Sequence, residues 1–393
     1  MVQGTRELNR RAILTQLLRS RPTSRKEIAL DAGISPATVT RAVDELISEG
    51  VLFEGDDIVV ERRGRRARFV DIVPDTSLAL GVDLGASNTR YLLTDLWARP
   101  LLGGEEPTPA VQGADELIRW LVGLLHRVTG GMWASIGHVS LGLPGAVGQE
   151  DLVVSNAPNL AQVETPGFLE GLLSALAKPL RVDNDANYAL LGEQRFGAAR
   201  DAPNAAMLTL GAGLGAGLAI DGRILQGRHG LVGEFGQLPV GPLGSRLESL
   251  VTGPGILRYA AEAGSPIADP QVLFSDAPPN PVATLRAQFD QALLVVLTAI
   301  SVSCEPSVIV LGGGISKSLA PSLERYEEAL RSTIRYAPRL VPASLGDFSG
   351  AAGAAVASLH EAYLELGVDP AALTGLPAVA NLDIDAVVAL HAR

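Results

Sequence analysis

The sequence predicts an α/β protein in two unequal parts: a small helical unit with a β-wing, then a larger body of alternating strands and helices. Two observations carry this. Residues 24–50, SRKEIALDAGISPATVTRAVDELISEG, hold two capped helices joined by a tight turn. From Leu78 onward, apolar strands broken by glycine alternate with amphipathic helices to about residue 365, the pattern of an α/β architecture.

In the small unit, Leu8, Ile13, Leu14, Leu17 and Leu18 recur at helical spacing and predict a supporting helix. Ser24 N-caps the next helix, with Glu27 three residues on as a capping box. Ala32-Gly33-Ile34 makes the turn. Ser35 caps the following helix and Pro36 takes its first position, where a missing N–H costs nothing. Val39, Val43, Leu46 and Ile47 share its apolar face; Ala37 and Arg41 lie away from it, flanked by Thr38 and Thr40. A core hairpin would carry the same caps, but the short polar face with one arginine suits a helix reading a DNA major groove. Ser35, Ala37, Thr38, Thr40 and Arg41 are therefore the expected contacts.

Val51-Leu52-Phe53 and Ile58-Val59-Val60, on either side of Gly55-Asp56-Asp57, predict the wing. Next, Arg62 to Arg68 carries five arginines in seven residues. Such a run serves either as a solvated linker or, with Gly64 between its arginines, as an arm for a narrow minor groove. The expectation is that Arg63, Gly64 and Arg65 touch DNA. Net charge supports this division: residues 1–73 sum to +2 and the rest to −13 within a total of −11. Only the first part can approach phosphates, while the acidic remainder discourages non-specific association.

At 393 residues with 47% hydrophobic and 19% charged side chains, the chain predicts two or three well-packed domains. The longest apolar run, near Leu293–Val302, is too short for a bilayer. A polar, Arg-bearing start without an apolar segment predicts a cytoplasmic protein with no membrane partner. Cys304 is the single cysteine, which excludes a disulfide framework and any multi-cysteine zinc site.

Beyond residue 78, Leu78–Val82 and Tyr91–Thr94 read as paired strands, Glu116–Val128 as a helix and Val139–Leu143 as a buried strand. Three Gly-centred turns follow strands: Asp83-Leu-Gly85-Ala-Ser87-Asn88, Gly211 to Gly217, and Gly312-Gly313-Gly314. Glycine lets backbone N–H groups approach a phosphate closely. Each turn alone is weak evidence, and neither a Walker loop nor a dinucleotide fingerprint is present. Between them stand Gly142-Leu-Pro144-Gly145, Ala157-Pro-Asn159-Leu160, Asn184-Asp185-Ala186-Asn187 and Gly233-Glu234-Phe-Gly236-Gln237.

In this order the set resembles the two-lobed actin-like (ribonuclease H-like) sugar kinase fold. With the winged unit in front, the chain resembles the ROK family of repressors, open reading frames and kinases over about residues 8–366. The resemblance implies that Asn184 and Asp185 bind sugar and that Asp185 is the general base if the protein is a kinase. A carboxylate on a sugar hydroxyl can take its proton as phosphate arrives. Read locally, the same pair caps a helix, and both roles are compatible. The family further implies Glu234, Glu248, Gly145, Asn159 and the residue at 237 as sugar contacts. Asp83, Gly85, Ser87, Gly211, Gly213 and Gly313 are implied for nucleotide, if that site is retained.

The chain departs from the family in two places. The usual Gly-Glu-x-Gly-His and cysteine-rich zinc loop are replaced by Gln237 and GPLGSRLE over 241–248. No thiolate or imidazole stands there, so no metal is expected. The second hairpin reads Gly-Ala212-Gly where the family's kinases usually carry threonine, which removes a hydroxyl from the phosphate end. The eroded nucleotide end beside an intact sugar end predicts a sensor. The expected protein is a sugar-responsive, DNA-binding transcription regulator, a homodimer or homotetramer acting on operator DNA with a sugar effector and no cofactor. The alternative is an ATP-dependent sugar kinase using ATP and magnesium. The expected division is 1–73 for the winged unit with its arginine-rich linker, 74–190 for the first lobe, and 191–393 for the second lobe and C-terminal extension.

Overall fold

The computed structural model describes residues 2–58, 67–240, 246–275 and 280–378, together with 382 and 387. The head comprises α1 (Val2–Arg19), β1 (Thr23–Ser24), α2 (Arg25–Asp31), α3 (Pro36–Ser48), β2 (Leu52–Ile58) and β3 (Ala67–Ile72). Its capping box is formed: the Glu27 N–H donates to Ser24 Oγ at 3.3 Å, and the Ser24 N–H donates to Glu27 Oε2 at 2.9 Å. Ser35 caps α3 by accepting the Thr38 N–H at 3.2 Å. Leu14 and Leu17 of α1, Ile28 of α2 and Val39, Val43 and Leu46 of α3 are fully buried together over a sheet of order β1-β3-β2.

The wing differs from its expected form. The chain does not turn at Gly55-Asp56-Asp57; β2 continues to Ile58 and pairs antiparallel with β3, with a register irregularity between Glu54 and Asp57. A β-carbon on Gly55 would lie 2.1 Å from the Phe69 ring, so the glycine marks a bulge under a crossing aromatic. The connection between the two wing strands is therefore residues 59–66, and the arginine run falls within the wing, not in a linker after it. Arg63, Gly64 and Arg65 themselves lie outside the described residues.

The first lobe holds β4 (Leu78–Leu84), β5 (Asn88–Thr94), β6 (Pro100–Pro107), α4 (Ala114–Thr129), β7 (Ile136–Leu143), β8 (Ala146–Val147), β9 (Val154–Ser155), α5 (Phe168–Leu176), β10 (Leu180–Asn184) and α6 (Asp185–Phe196). Its sheet runs β10-β7-β4-β5-β6, antiparallel on one side of β4 and parallel on the other. The second lobe holds β11 (Ala205–Leu210), β12 (Leu214–Ile220), β13 (Arg223–Ile224), α7 (Glu248–Val251), α8 (Gly253–Glu262), α9 (Asn280–Cys304), β14 (Val308–Gly312), α10 (Gly314–Leu319), α11 (Leu323–Thr333) and β15 (Arg339–Pro342). Its order, β13-β12-β11-β14-β15, repeats the same plan. The last long helix among the described residues is α12 (Ser349–Leu366). This is the two-lobed α/β architecture behind a winged head.

Two helices join the lobes. The expected boundary at 190/191 falls inside α6, and α12 packs back on β4 of the first sheet. The approach is backbone to backbone: a β-carbon on Gly81 would meet Ala355 N at 2.1 Å, and one on Gly353 would meet Tyr188 O at 1.7 Å. At 1.5 Å per residue α12 is about 27 Å long. One end lies beside the turn Gly346–Phe348 and the other reaches the head.

At that far end the Tyr363 hydroxyl donates to Leu96 O at 2.8 Å, and the Asp369 N–H donates to Thr15 Oγ1 of α1 at 3.0 Å. Val368, Ala372, Leu376, Leu382 and Val387 extend the same apolar cluster that contains the head core and α12. The described residues after 367 therefore pack between head and body.

The helix α9 qualifies the expectation about membrane length. Residues Val282–Cys304 are long and apolar enough, by length and composition alone, to cross a bilayer. The unbroken apolar run is short because Arg286 and Asp290 interrupt it. In the fold, Phe289, Leu293, Val296, Leu297 and Ile300 are buried in the second-lobe core, which is where such a helix draws its hydrophobicity.

Candidate functional site

A cleft of about 560 Å³ lies between the lobes, at the carboxyl ends of the parallel strands, the usual binding position in open α/β sheets. Every expected sugar residue lines it: Gly145 after β7, Asn159 after β9, Asn184 and Asp185 where β10 meets α6, Glu234 and Gln237 in the loop after β13, and Glu248 opening α7. The tertiary fold thus gathers groups that span about a hundred residues of sequence.

Asn184 is spent on architecture. Its Oδ1 accepts the N–H groups of Ala186 at 2.9 Å and Asn187 at 3.2 Å, capping α6, while its Nδ2 donates to Gly145 O at 2.8 Å. Gly145 has φ +85, and a β-carbon there would lie 2.3 Å from Ser155 O. The cap holds Asp185 in the cleft, where its Oδ1 accepts its neighbour's N–H at 2.7 Å. A β-carbon on Gly213 would stand 3.5 Å from Glu248 Oε1 and 3.6 Å from Asn159 Nδ2, so the glycine keeps the floor open between them.

Burial shapes the charge state of these groups. It raises the Asp185 carboxyl to about 6 against the pull of the Ala186 N–H. Glu234 rises to about 7 through burial, then through the like charges of Asp185 and Glu248. Glu248 is also raised by burial, opposed by the Leu214 N–H and by Arg246 and Arg258. Grouped carboxyls with raised pKa values in a cleft mark a candidate functional site.

Five side chains at or beside the cleft carry no local sequence signal. Asn156, at φ +61, donates across the cleft to Glu234 Oε2 at 3.4 Å. Arg246 Nη1 donates to Gln237 Oε1 at 2.5 Å, and Pro239 and Arg246 form an antiparallel β-bridge. Because arginine only donates, the amide oxygen must face it, which leaves the Gln237 NH₂ for the cleft. An amide and a guanidinium are not zinc ligands, so these residues do not fit the family's metal; residues 241–245 lie outside the described residues. At the other end Lys317 pairs with Asp347 at 2.9 Å, and Arg90 lies 3.8 Å from the same carboxylate.

Of the expected nucleotide residues, Gly85, Ser87, Gly211, Gly213 and Gly313 line the cleft. Asp83 stands behind them against α12, 2.6 Å from where a β-carbon on Gly350 would be. Burial and then Asp185 raise its carboxyl to about 7, against Arg90. Gly215 and Gly217 belong to β12, not to the turn; a β-carbon on Gly217 would lie 2.5 Å from Ala186 O, so that glycine admits the start of α6.

On the head, Ser35, Ala37, Thr40 and Arg41 are exposed and Thr38 is half-buried. They form one outward patch at the start of α3, opposite its buried face.

The ROK family pattern matches residues 79–361, and a winged helix-turn-helix DNA-binding pattern matches residues 6–52. The chain belongs to the ROK family. Over 250 residues, 62% of this chain, it is 33% identical to the bifunctional enzyme NanE/NanK of Brucella suis, covering 43% of that protein. It is 31% identical over the same share to the DNA-binding transcriptional dual regulator NagC of Escherichia coli, covering 60% of it. The match therefore spans about half the length of these relatives. Among solved structures, a ROK family transcriptional regulator homologous to the E. coli MLC protein superposes with TM-score 0.72 at 22% identity, over 94% of this chain and 99% of that one. A ROK hexokinase from Thermus thermophilus superposes with TM-score 0.58 at 28% identity, over 71% and 96%.

Proposed function

We propose that this ROK protein is a sugar-responsive transcription regulator, a repressor in type, acting in the cytoplasm as a homo-oligomer on operator DNA. One observation carries the reading. A recognition helix with an exposed arginine is joined, through one continuous apolar cluster containing α12, to a carboxylate-lined cleft. A symmetric pair of heads suits a pseudo-palindromic operator. A sugar bound between the lobes favours one lobe arrangement and shifts the population toward it. α6 and α12 would carry that change to the head.

An N-acetylglucosamine repressor of Escherichia coli O157:H7, 31% identical over 250 residues, and a putative xylose repressor of Caldicellulosiruptor, 28% identical over 242 residues, make N-acetylglucosamine and xylose the first sugars to try. Melting curves against a monosaccharide panel test the reading. A specific ligand at a hundred times its Kd stabilises by about 2.7 kcal/mol. The same sugar should then change binding to DNA selected from random sequence. No melting shift with any sugar would remove the sensor.

A second reading, an ATP-dependent sugar kinase, is favoured by Asp185. A carboxyl at about 6 in the cleft accepts protons effectively at neutral pH. Residues lining the opposite end, Ser87, Gly211 and Gly313, would hold the nucleotide's phosphates. Ala212 offers no side-chain donor to them. Incubation with ATP, magnesium and the sugar panel decides: turnover lost in Asp185→Asn establishes the kinase.

A further inference from the structure

We propose that α3 reads its half-site chiefly through thymine methyl groups, set beside one guanine that Arg41 contacts. This rests on the regulator reading above, and it follows from how the helix spends its polar groups. Thr40 Oγ1 donates to the Pro36 carbonyl at 2.9 Å, so its hydroxyl hydrogen is used inside its own helix. The hydroxyls of Thr38 and Ser35 are bonded to each other at 2.8 Å, and Ser35 Oγ also takes the Thr38 N–H. The acidic groups farther along are engaged too: Asp44 pairs with Arg25 at 2.7 Å and Glu45 with Arg6 at 3.0 Å. Those carboxylates are the natural acceptors for a cytosine amino group.

Beyond the one hydroxyl hydrogen that the Ser35–Thr38 pair leaves over, what remains outward is apolar except for one cation. Ala37 and Thr40 are exposed and offer methyl groups. Arg41 is exposed and has no hydrogen-bond or ion-pair partner among the described residues. Positions 37, 40 and 41 stand at i, i+3 and i+4 and share a helix face. They span about 6 Å along the axis, less than two base-pair steps of about 3.4 Å. In the major groove thymine alone presents a methyl, and guanine presents the paired acceptors N7 and O6 that match a guanidinium. The half-site therefore places thymines within about two base pairs of a guanine.

The test uses the full-length protein and duplexes selected from random sequence. Replacing a contacted thymine with deoxyuridine deletes only the methyl and should weaken binding about fourfold. Replacing the guanine with 7-deazaguanine deletes N7 and should weaken it tenfold or more. Thr40→Val keeps the methyl and loses the hydroxyl, so it should still prefer thymine to uracil. Thr40→Ser keeps the hydroxyl and should lose that preference, and Arg41→Ala should relax the guanine position alone. Melting curves confirm that each variant is folded. Selective binding that is indifferent to uracil, or Thr40→Val failing where Thr40→Ser succeeds, overturns the methyl readout. Enrichment of no sequence at all overturns the regulator reading and this proposal with it.

Discussion

The indole N–H of Trp97 donates to the carbonyl of Ile72 at 2.9 Å. Ile72 ends the last strand of the head, and Trp97 lies in the turn between β5 and β6 of the first lobe. The guanidinium groups of Arg21 and Arg99 lie over the ring, 4.4 and 4.3 Å from its centre. Arg21 in turn pairs with Asp71 at 2.8 Å. Arg21 and Asp71 belong to the head and Arg99 to the body, so one side chain clamps the two.

Trp97→Ala should cost about 2 kcal/mol, the sum of one hydrogen bond and two cation–π contacts. The cost should appear as uncoupling, with the head melting before the body in a urea titration. A single transition with the parental midpoint would show that the clamp holds nothing.

The cleft carboxyls set a pH dependence. Asp83 and Glu234 at about 7 and Asp185 at about 6 lie above ordinary carboxylates near 4. The folded state then binds protons more tightly than the unfolded chain. Its stabilisation from these groups is complete below about pH 4 and is lost as pH rises to about 7. Ligand-free protein should lose melting temperature over that interval, and Glu234→Gln should flatten the decline. A sugar whose hydroxyls donate to the carboxylates favours their charged forms, so binding at pH 6 should release protons. Calorimetry in two buffers of different ionisation heat reads this directly. Zero release would mean that the hydroxyls meet other groups.

At Gly353 the contact between α12 and α6 leaves no room, since a β-carbon would lie 1.7 Å from Tyr188 O. Gly353→Ala should cost about 3 kcal/mol, because backbone cannot move aside as a side-chain tip can. Gly123 in α4 has nothing within 4 Å of its would-be β-carbon. There alanine should stabilise by about 0.5–1 kcal/mol. Equal melting temperatures for the two variants would contradict the packing described.

Arg246 orients the amide of Gln237. Arg246→Ala should weaken sugar binding about fivefold, roughly one hydrogen bond's worth, while leaving the melting temperature of the free protein almost unchanged. Gln237→Glu keeps the tie to Arg246 as an ion pair but turns the cleft-facing donor into an acceptor, and should weaken binding further. Undiminished affinity in both variants would place the sugar away from residue 237.

Much of the fold was legible because its signals are local. The capped ends of α2 and α3, the apolar face of Val39, Val43 and Leu46, and the strand runs at 78–82 and 139–143 each depend on neighbours within a few residues. The wing misled for a physical reason. Gly55-Asp56-Asp57 has turn composition, but the glycine is needed for the Phe69 ring that crosses it. That ring comes from the opposite strand.

The sequence by itself determined the order of modules, the caps that place α3 and Asp185, and the missing zinc ligands, because each is a property of a short segment. Only the tertiary structure decided the rest. It brought Asn156 to Glu234 and Arg246 to Gln237, set Lys317 and Arg90 on Asp347, and laid α12 from the cleft to a head gripped by Trp97. Those relationships join residues from separate elements, some of them hundreds of positions apart in the chain. Burial raises the carboxyls for the same reason: desolvation depends on everything packed around a group, and no spacing along the chain records it.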